Sequence, residues 1–140
     1  MIKSMVDKNT QNPLDELYTD SKSQIEPAAL AAILKPFLRI NRENKTLLFT
    51  PAGIKLTANN KIILFLLARK AMHLQGFIDS DVVAPKEIKA ELVREIPSGT
   101  IDVGIKRLSE KGPLKGRDGK YFIPDFNFSQ VEEIFSKVNS

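Results

Sequence analysis

Residues 97–124, PSGTIDVGIKRLSEKGPLKGRDGKYFIP, decide how this chain folds. Ile101, Ile105 and Leu108 recur at i, i+4 and i+7, which sets all three on one face of a helix over 98–111. Gly112 and Pro113 then stop that helix, because Gly accepts a left-handed cap and Pro cannot extend a helix. Leu114-Lys115-Gly116 and Lys120-Tyr121-Phe122-Ile123 flank Arg117-Asp118-Gly119. Asp-Gly between two such runs predicts a tight hairpin over 114–123. Alternation along its second strand turns one of Tyr121 and Phe122 inward, and packing beneath the hairpin is the expected role of both, ahead of base stacking.

The same stretch holds the electrostatic excess of the chain. The whole sequence has 21 Lys and Arg against 17 Asp and Glu, a formal charge of +4. Lys106, Arg107, Lys111, Lys115, Arg117 and Lys120 face only Glu110 and Asp118 within the stretch from 106 to 120. That stretch is therefore +4 by itself, and everything outside it sums to zero. A basic cluster on one helix and one hairpin is the footprint of phosphate binding.

Outward from this segment, the chain reads as an α+β protein, mainly helical with small hairpins. Thr57 is placed to cap the longest helix, over 58–75, which Gly76 closes. Ile62, Ile63, Leu66, Leu67 and Leu74 make one stripe, while Leu64, Phe65, Ala68 and Met72 extend it most of the way round. A helix that apolar is central rather than peripheral. Residues 85–92 form a short helix with Ile88 and Leu92 inward, and 77–83 form a linker with some strand character.

Residues 24–57 form an extension. Pro27 opens a short alanine-rich helix ended by Pro36. Residues 37–40 and 46–50 are strand-like runs joined by 41–45, which predicts a second hairpin that Pro51-Ala52-Gly53 breaks. Residues 1–23 are polar and weakly patterned, with Leu14, Leu17 and Tyr18 able to form a turn of helix after Pro13. This arm is expected to be flexible, or to order on a partner. At the other end, 125–140, Ser129 and Glu132 read as a capping box opening a last helix with Val131, Ile134, Phe135 and Val138 inward.

Composition narrows the class. At 42% hydrophobic and 27% charged with eight Phe, the chain supports a packed core in one domain with an arm. It has no cysteine, which excludes disulfides, thiolate metal sites and a cysteine nucleophile. The longest apolar run, 62–68, is too short to span a bilayer, so no membrane is expected. No apolar core resembling a signal peptide stands at the N-terminus, and the expected location is cytoplasmic.

The order helix 58–75, helix 85–92, turn, helix 98–111, hairpin 114–123 resembles the winged helix-turn-helix superfamily. The local match is Thr100 to Gly112, TIDVGIKRLSEKG, which resembles the recognition-helix pattern ending in Leu-x-x-Lys-Gly at the step into the wing. The resemblance covers about 58–124. It implies a DNA-binding protein, a transcriptional regulator by expectation, whose third helix enters the major groove while the hairpin touches backbone or minor groove. Ser98, Thr100, Asp102, Val103, Lys106, Arg107 and Lys111 are then the helix candidates, and Lys115, Arg117 and Lys120 the wing candidates. Backbone amides at the start of the helix are candidates for phosphate. Winged helices also serve as protein–protein interaction modules without direct DNA binding, which is the alternative.

Catalytic signals are weak, and neither an enzyme nor a cofactor or metal requirement is expected. His73 is the only histidine, and without cysteine it reads as structural or surface rather than as a ligand. Gly119-Lys120 fails as a phosphate loop, since Leu114 stands where the first Gly belongs and Tyr121 where Ser or Thr belongs. Gly104 within a helix signals either close packing against a neighbour or a weak, adaptable helix. Besides double-stranded DNA, the expected partners are a second copy and a protein partner through 1–57. The homodimer rests on the stripe of the C-terminal helix and on Leu47, Leu48 and Phe49, which need somewhere to bury.

Overall fold

Seven consecutive apolar residues, Ile62 to Ala68, are each at most 3% exposed, so their helix is covered on every side. That helix organises the computed structural model, which describes residues 25–138. The described residues form six helices and two two-stranded antiparallel sheets, an α+β arrangement. In chain order these are α1 (Pro27–Leu34), β1 (Leu38–Ile40), β2 (Leu47–Phe49), α2 (Pro51–Ile54), α3 (Ala58–Leu74), α4 (Pro85–Leu92), α5 (Ser98–Lys111), β3 (Lys115–Arg117), β4 (Lys120–Phe122) and α6 (Phe128–Val138). The expected arm at 1–23, with its turn at Leu14, Leu17 and Tyr18, lies outside the described residues.

Local chemistry accounts for most boundaries. Thr57 Oγ1 accepts from the Asn60 N–H (3.2 Å), the expected cap of α3. The helix ends at Leu74, one residue before its expected end, with Gly76 at φ +80 just beyond. Glu87 Oε1 accepts from the Ala84 N–H (2.9 Å) and closes the first turn of α4. In the first hairpin Asn41 Oδ1 accepts from the N–H groups of Glu43 (2.9 Å) and Asn44 (3.2 Å), which folds the 41–45 connection into a turn. In the second, Asp118 (φ 54) and Gly119 (φ 78) both take positive φ, the requirement of the type I′ turn that Asp-Gly signals.

The other elements close around α3. One core runs from Ile25, Leu30 and Leu34 of the extension, through α3, Ile88, Leu92, Ile101, Ile105 and Leu108, to Val131 and Phe135 of α6. Extension and C-terminal helix meet directly, with the Phe37 and Phe135 rings 5.7 Å apart. Of the stripe on which the expectation of a homodimer rests, Val131 and Phe135 are buried within one chain, Ile134 is half-buried and Val138 is exposed, as is Leu48 of the first hairpin. Leu47 is buried as well, and its N–H donates to Glu91 Oε2 (3.1 Å), tying the first hairpin to α4.

Four local expectations are corrected. Gly112 ends α5 with extended backbone, φ −119, rather than as a left-handed cap, because the residue before a proline is held out of the helical region. The capping box of Ser129 and Glu132 does not form. The chain is already helical at Phe128, after a 3-10 turn over Asp125–Asn127, and Ser129 sits exposed inside α6. Burial of Phe128 and the Asn127 Nδ2 bond to the Pro113 carbonyl (2.8 Å) fix this earlier start. Pro51-Ala52-Gly53 does more than break a strand. It forms a turn of helix, α2, capped by Thr50 Oγ1 accepting from the Gly53 N–H (3.1 Å). The strand character expected in 77–83 shrinks to Val83, which exchanges both backbone hydrogen bonds with Tyr121 (2.9 and 2.8 Å).

Two lysines are buried on α3, and both are paired. Lys61 Nζ lies 3.0 Å from Glu95 Oε1, and Lys70 Nζ lies 3.0 Å from Asp81 Oδ2 and 2.8 Å from Asp125 Oδ1. Lys70 therefore fastens the 77–84 loop and the 3-10 turn to the central helix. Removing one partner of such a buried cluster strands the others. Lys70→Ala is expected to lower stability by about 2–3 kcal/mol, discounted because both carboxylates keep some solvent, as read by urea denaturation.

Gly104 resolves in favour of close packing. A Cβ built there would lie 2.7 Å from Ile62 Cδ1 and 2.9 Å from Asn59 Oδ1, so α5 rests on α3 without room for a side chain. Both obstructing atoms are side-chain ends, and Ala gains up to about 1 kcal/mol of helix propensity. Gly104→Ala should therefore change stability by no more than about 1 kcal/mol in either direction, while Gly104→Leu should cost about 1–3 kcal/mol. An adaptable, loosely packed helix would instead be stabilised by both substitutions in the same denaturation series.

Candidate nucleic-acid interface

The surface in question is built by α5 and the β3–β4 hairpin. α5 has two unlike faces: Ile101, Gly104, Ile105 and Leu108 are buried against the core. The opposite face carries Ser98, Thr100, Asp102, Val103, Lys106, Arg107 and Lys111, all exposed. Lys115, Arg117 and Lys120 are exposed on the hairpin. Each of the ten candidates therefore has access to solvent. The +4 excess of the 106–120 stretch is displayed rather than neutralised, since no ion pair among the described residues joins these six basic side chains to an acid.

The hairpin is held in place at its base. Leu114 and Ile123 are buried, and the Val83–Tyr121 bridge adds a third backbone segment beside β4. Tyr121 and Phe122 are both half-buried, but only Tyr121 packs against the core as expected, since alternation turns Phe122 to the other face of the hairpin. Above Phe122 lies the Arg117 guanidinium, 4.9 Å from the ring centroid. This cation–π contact orients an otherwise free arginine without consuming its charge.

The start of α5 is open. Pro97 precedes it and supplies no side-chain acceptor, and the first intrahelical bond runs from the Ile101 N–H to the Pro97 carbonyl (3.1 Å). The N–H groups of the first turn thus lack intrahelical acceptors, at the positive end of the helix dipole. Such a terminus attracts anions.

Asp102 stands differently from the other candidates. Its Oδ1 lies 2.8 Å from Nζ of Lys89 on α4, so its carboxylate is engaged by a neighbouring helix. Lys89 is the residue that sequence reasoning missed. Its pairing crosses from α4 to α5, and no local pattern signals it. Val103 is the one large apolar side chain on the outward face of α5, 54% exposed, between Asp102 and the basic residues.

His73 is exposed near the end of α3, with Nδ1 3.3 Å from the Ile78 carbonyl oxygen. Among the described residues, no group of three or more His, Cys, Asp or Glu is placed to hold a metal ion. No described helix is long and apolar enough to cross a membrane. No family model, curated protein or solved structure significantly matches this chain.

The Lys89–Asp102 pair is solvent-accessible, so its loss should matter little to folding. Asp102→Asn is expected to change stability by less than about 1 kcal/mol, with a correspondingly small shift in urea midpoint. A larger loss would make the pair a structural clamp between α4 and α5.

Proposed function

We propose that the protein binds double-stranded DNA as a transcriptional regulator, with α3, α4, α5 and the β3–β4 hairpin acting as a winged helix-turn-helix. The observation that carries this reading is the +4 charge of residues 106–120, equal to that of the whole chain, exposed on the second half of α5 and the adjoining hairpin. In this reading α5 lies in the major groove with its first-turn amides toward a phosphate, and the hairpin reaches along the backbone. Lys106, Arg107, Lys111, Lys115, Arg117 and Lys120 neutralise phosphates. Thr100 and Val103 face base edges, where an apolar side chain suits a thymine methyl group.

Salt dependence tests the reading directly. If four to six of these cations neutralise phosphates, log Kobs for random-sequence duplex falls against log salt with a slope of about −3.6 to −5.4. Replacing both Arg117 and Lys120 by Ala should weaken binding to all duplexes alike and make that slope shallower by about 2. The double variant should remain folded, losing about 1 kcal/mol at most from the contact over Phe122. Asp102→Asn should strengthen binding, because it removes a carboxylate from the face and releases Lys89.

Val103 supports a second reading, a winged helix that docks on a protein through the same face. There an exposed apolar side chain ringed by charge acts as an anchor. Absence of duplex binding at low ionic strength, in a folded protein, would select this alternative.

A further inference from the structure

At the other end of α3 lies an apolar groove unrelated to the basic face. Gly104 meets α3 at Asn59 and Ile62, whereas the groove is walled by Leu74, about 18 Å further along the same helix. Its floor and sides are Leu30 and Leu34 of α1, Leu38 and Ile40 of β1, and Leu74. The cavity measures about 540 Å³. That falls within the range of small-molecule sites, which are apolar cavities with a few placed polar groups.

The charged groups are of one sign, and Gln75 is the neutral polar side chain of the lining. Lys35 and Arg39 stand at the rim, with no carboxylate among the lining residues. Arg39 is held rather than free: its Nη1 donates to the Lys35 carbonyl and to the Leu38 carbonyl (2.8 Å). These bonds fix the plane of the guanidinium. They leave Nε and Nη2, which make no hydrogen bond among the described residues, as a parallel pair of donors. Such an edge matches a carboxylate in bidentate fashion. Lys35 has no ion-pair partner among the described residues and adds a second positive charge beside it.

We propose that this groove binds an anionic amphiphile, a monocarboxylate with an unbranched apolar tail. The tail lies over the leucines of α1, β1 and α3, and the carboxylate is received by Arg39 Nε and Nη2, with Lys35 nearby. The apolar body supplies affinity through burial, and the fixed fork selects the head group. The inference stands apart from DNA binding, since none of the groove residues belongs to α5 or the β3–β4 hairpin.

The probes are decanoate and decanol, titrated calorimetrically into the 140-residue chain and four variants. Decanoate is expected to bind the unmodified protein saturably, one per chain, with Kd on the order of 10–100 μM. Ala31→Trp, which fills the groove from an exposed position on α1, should abolish binding of both probes. Leu74→Trp replaces it if the first variant fails to melt cooperatively. Arg39→Gln should weaken decanoate by about tenfold or more, the loss of a charge-assisted bond, and leave decanol unchanged. Absence of saturable binding overturns the proposal, as does undiminished binding in a folded groove-filling variant. Equal weakening of both probes by Arg39→Gln also overturns it. If decanoate binds only after Leu14→Asp and Leu17→Asp are introduced together, the groove belongs to the chain's own N-terminal residues. If self-association is present and lost in Ala31→Trp, it belongs to a second copy. Either result overturns an amphiphile site.

Discussion

Everything in this fold answers to one requirement: the middle of α3, Ile62 to Ala68, is apolar around its whole circumference and must be covered on every side. A helix with a single apolar stripe needs one neighbour, whereas Ile62 to Ala68 leave no direction in which water can be met without cost. α4 and α5 cover one part, and Gly104 lets α5 approach until no side chain fits between the two axes. α1, the first hairpin and α6 contribute to the same core, and the Phe37–Phe135 contact closes the N-terminal extension against the C-terminal helix. Extension and C-terminal helix are thus structural parts of the domain rather than appendages to it.

The same requirement sorts the charges. Lys61 and Lys70 lie on α3 itself, where their stems pack with the core and their ammonium groups are met by Glu95, Asp81 and Asp125. Charges that cannot be paired this way are carried outward, and α5 shows the outcome most plainly. Its inward positions are occupied by Ile101, Gly104, Ile105 and Leu108, so Lys106, Arg107 and Lys111 face solvent. The basic surface proposed to meet DNA is in this sense a consequence of amphipathic packing, sharpened by a hairpin whose base is pinned to Val83. The groove between α1, β1 and the end of α3 has the converse character, apolar within and cationic only at its rim. About 18 Å of α3 separates it from the Gly104 contact. The same helix lines the groove at Ala71 and Leu74 and meets α5 at Asn59 and Ile62.

The limits of α3, α4 and α5 and the second hairpin were legible in the sequence, because short-range chemistry sets them. Thr57 caps the residue three positions on, Asp118-Gly119 makes its own turn, and the i, i+4, i+7 repeat of α5 needs no knowledge of what it packs against. The exposure of all ten candidate side chains followed from that repeat and from the hairpin. Where two chemistries competed locally, the sequence alone misled. Ser129 and Glu132 have the spacing of a capping box, but burial of Phe128 and the Asn127–Pro113 bond start the helix earlier.

What only the tertiary structure decided are the pairings between residues distant along the chain. Lys89 engages Asp102 across the turn between α4 and α5, and Val83 bonds Tyr121 across the whole of α5. Phe135 finds Phe37 nearly a hundred residues away, which buries the centre of the stripe within the chain while Val138 at its end stays exposed. The groove exists only where α1 and β1 meet the end of α3, with Arg39 turned back on the Lys35 and Leu38 carbonyls. Periodicity and capping act over one or two helical turns, so they state which face of an element is apolar. They do not state which other face will cover it, because that is settled by the burial of all the faces at once.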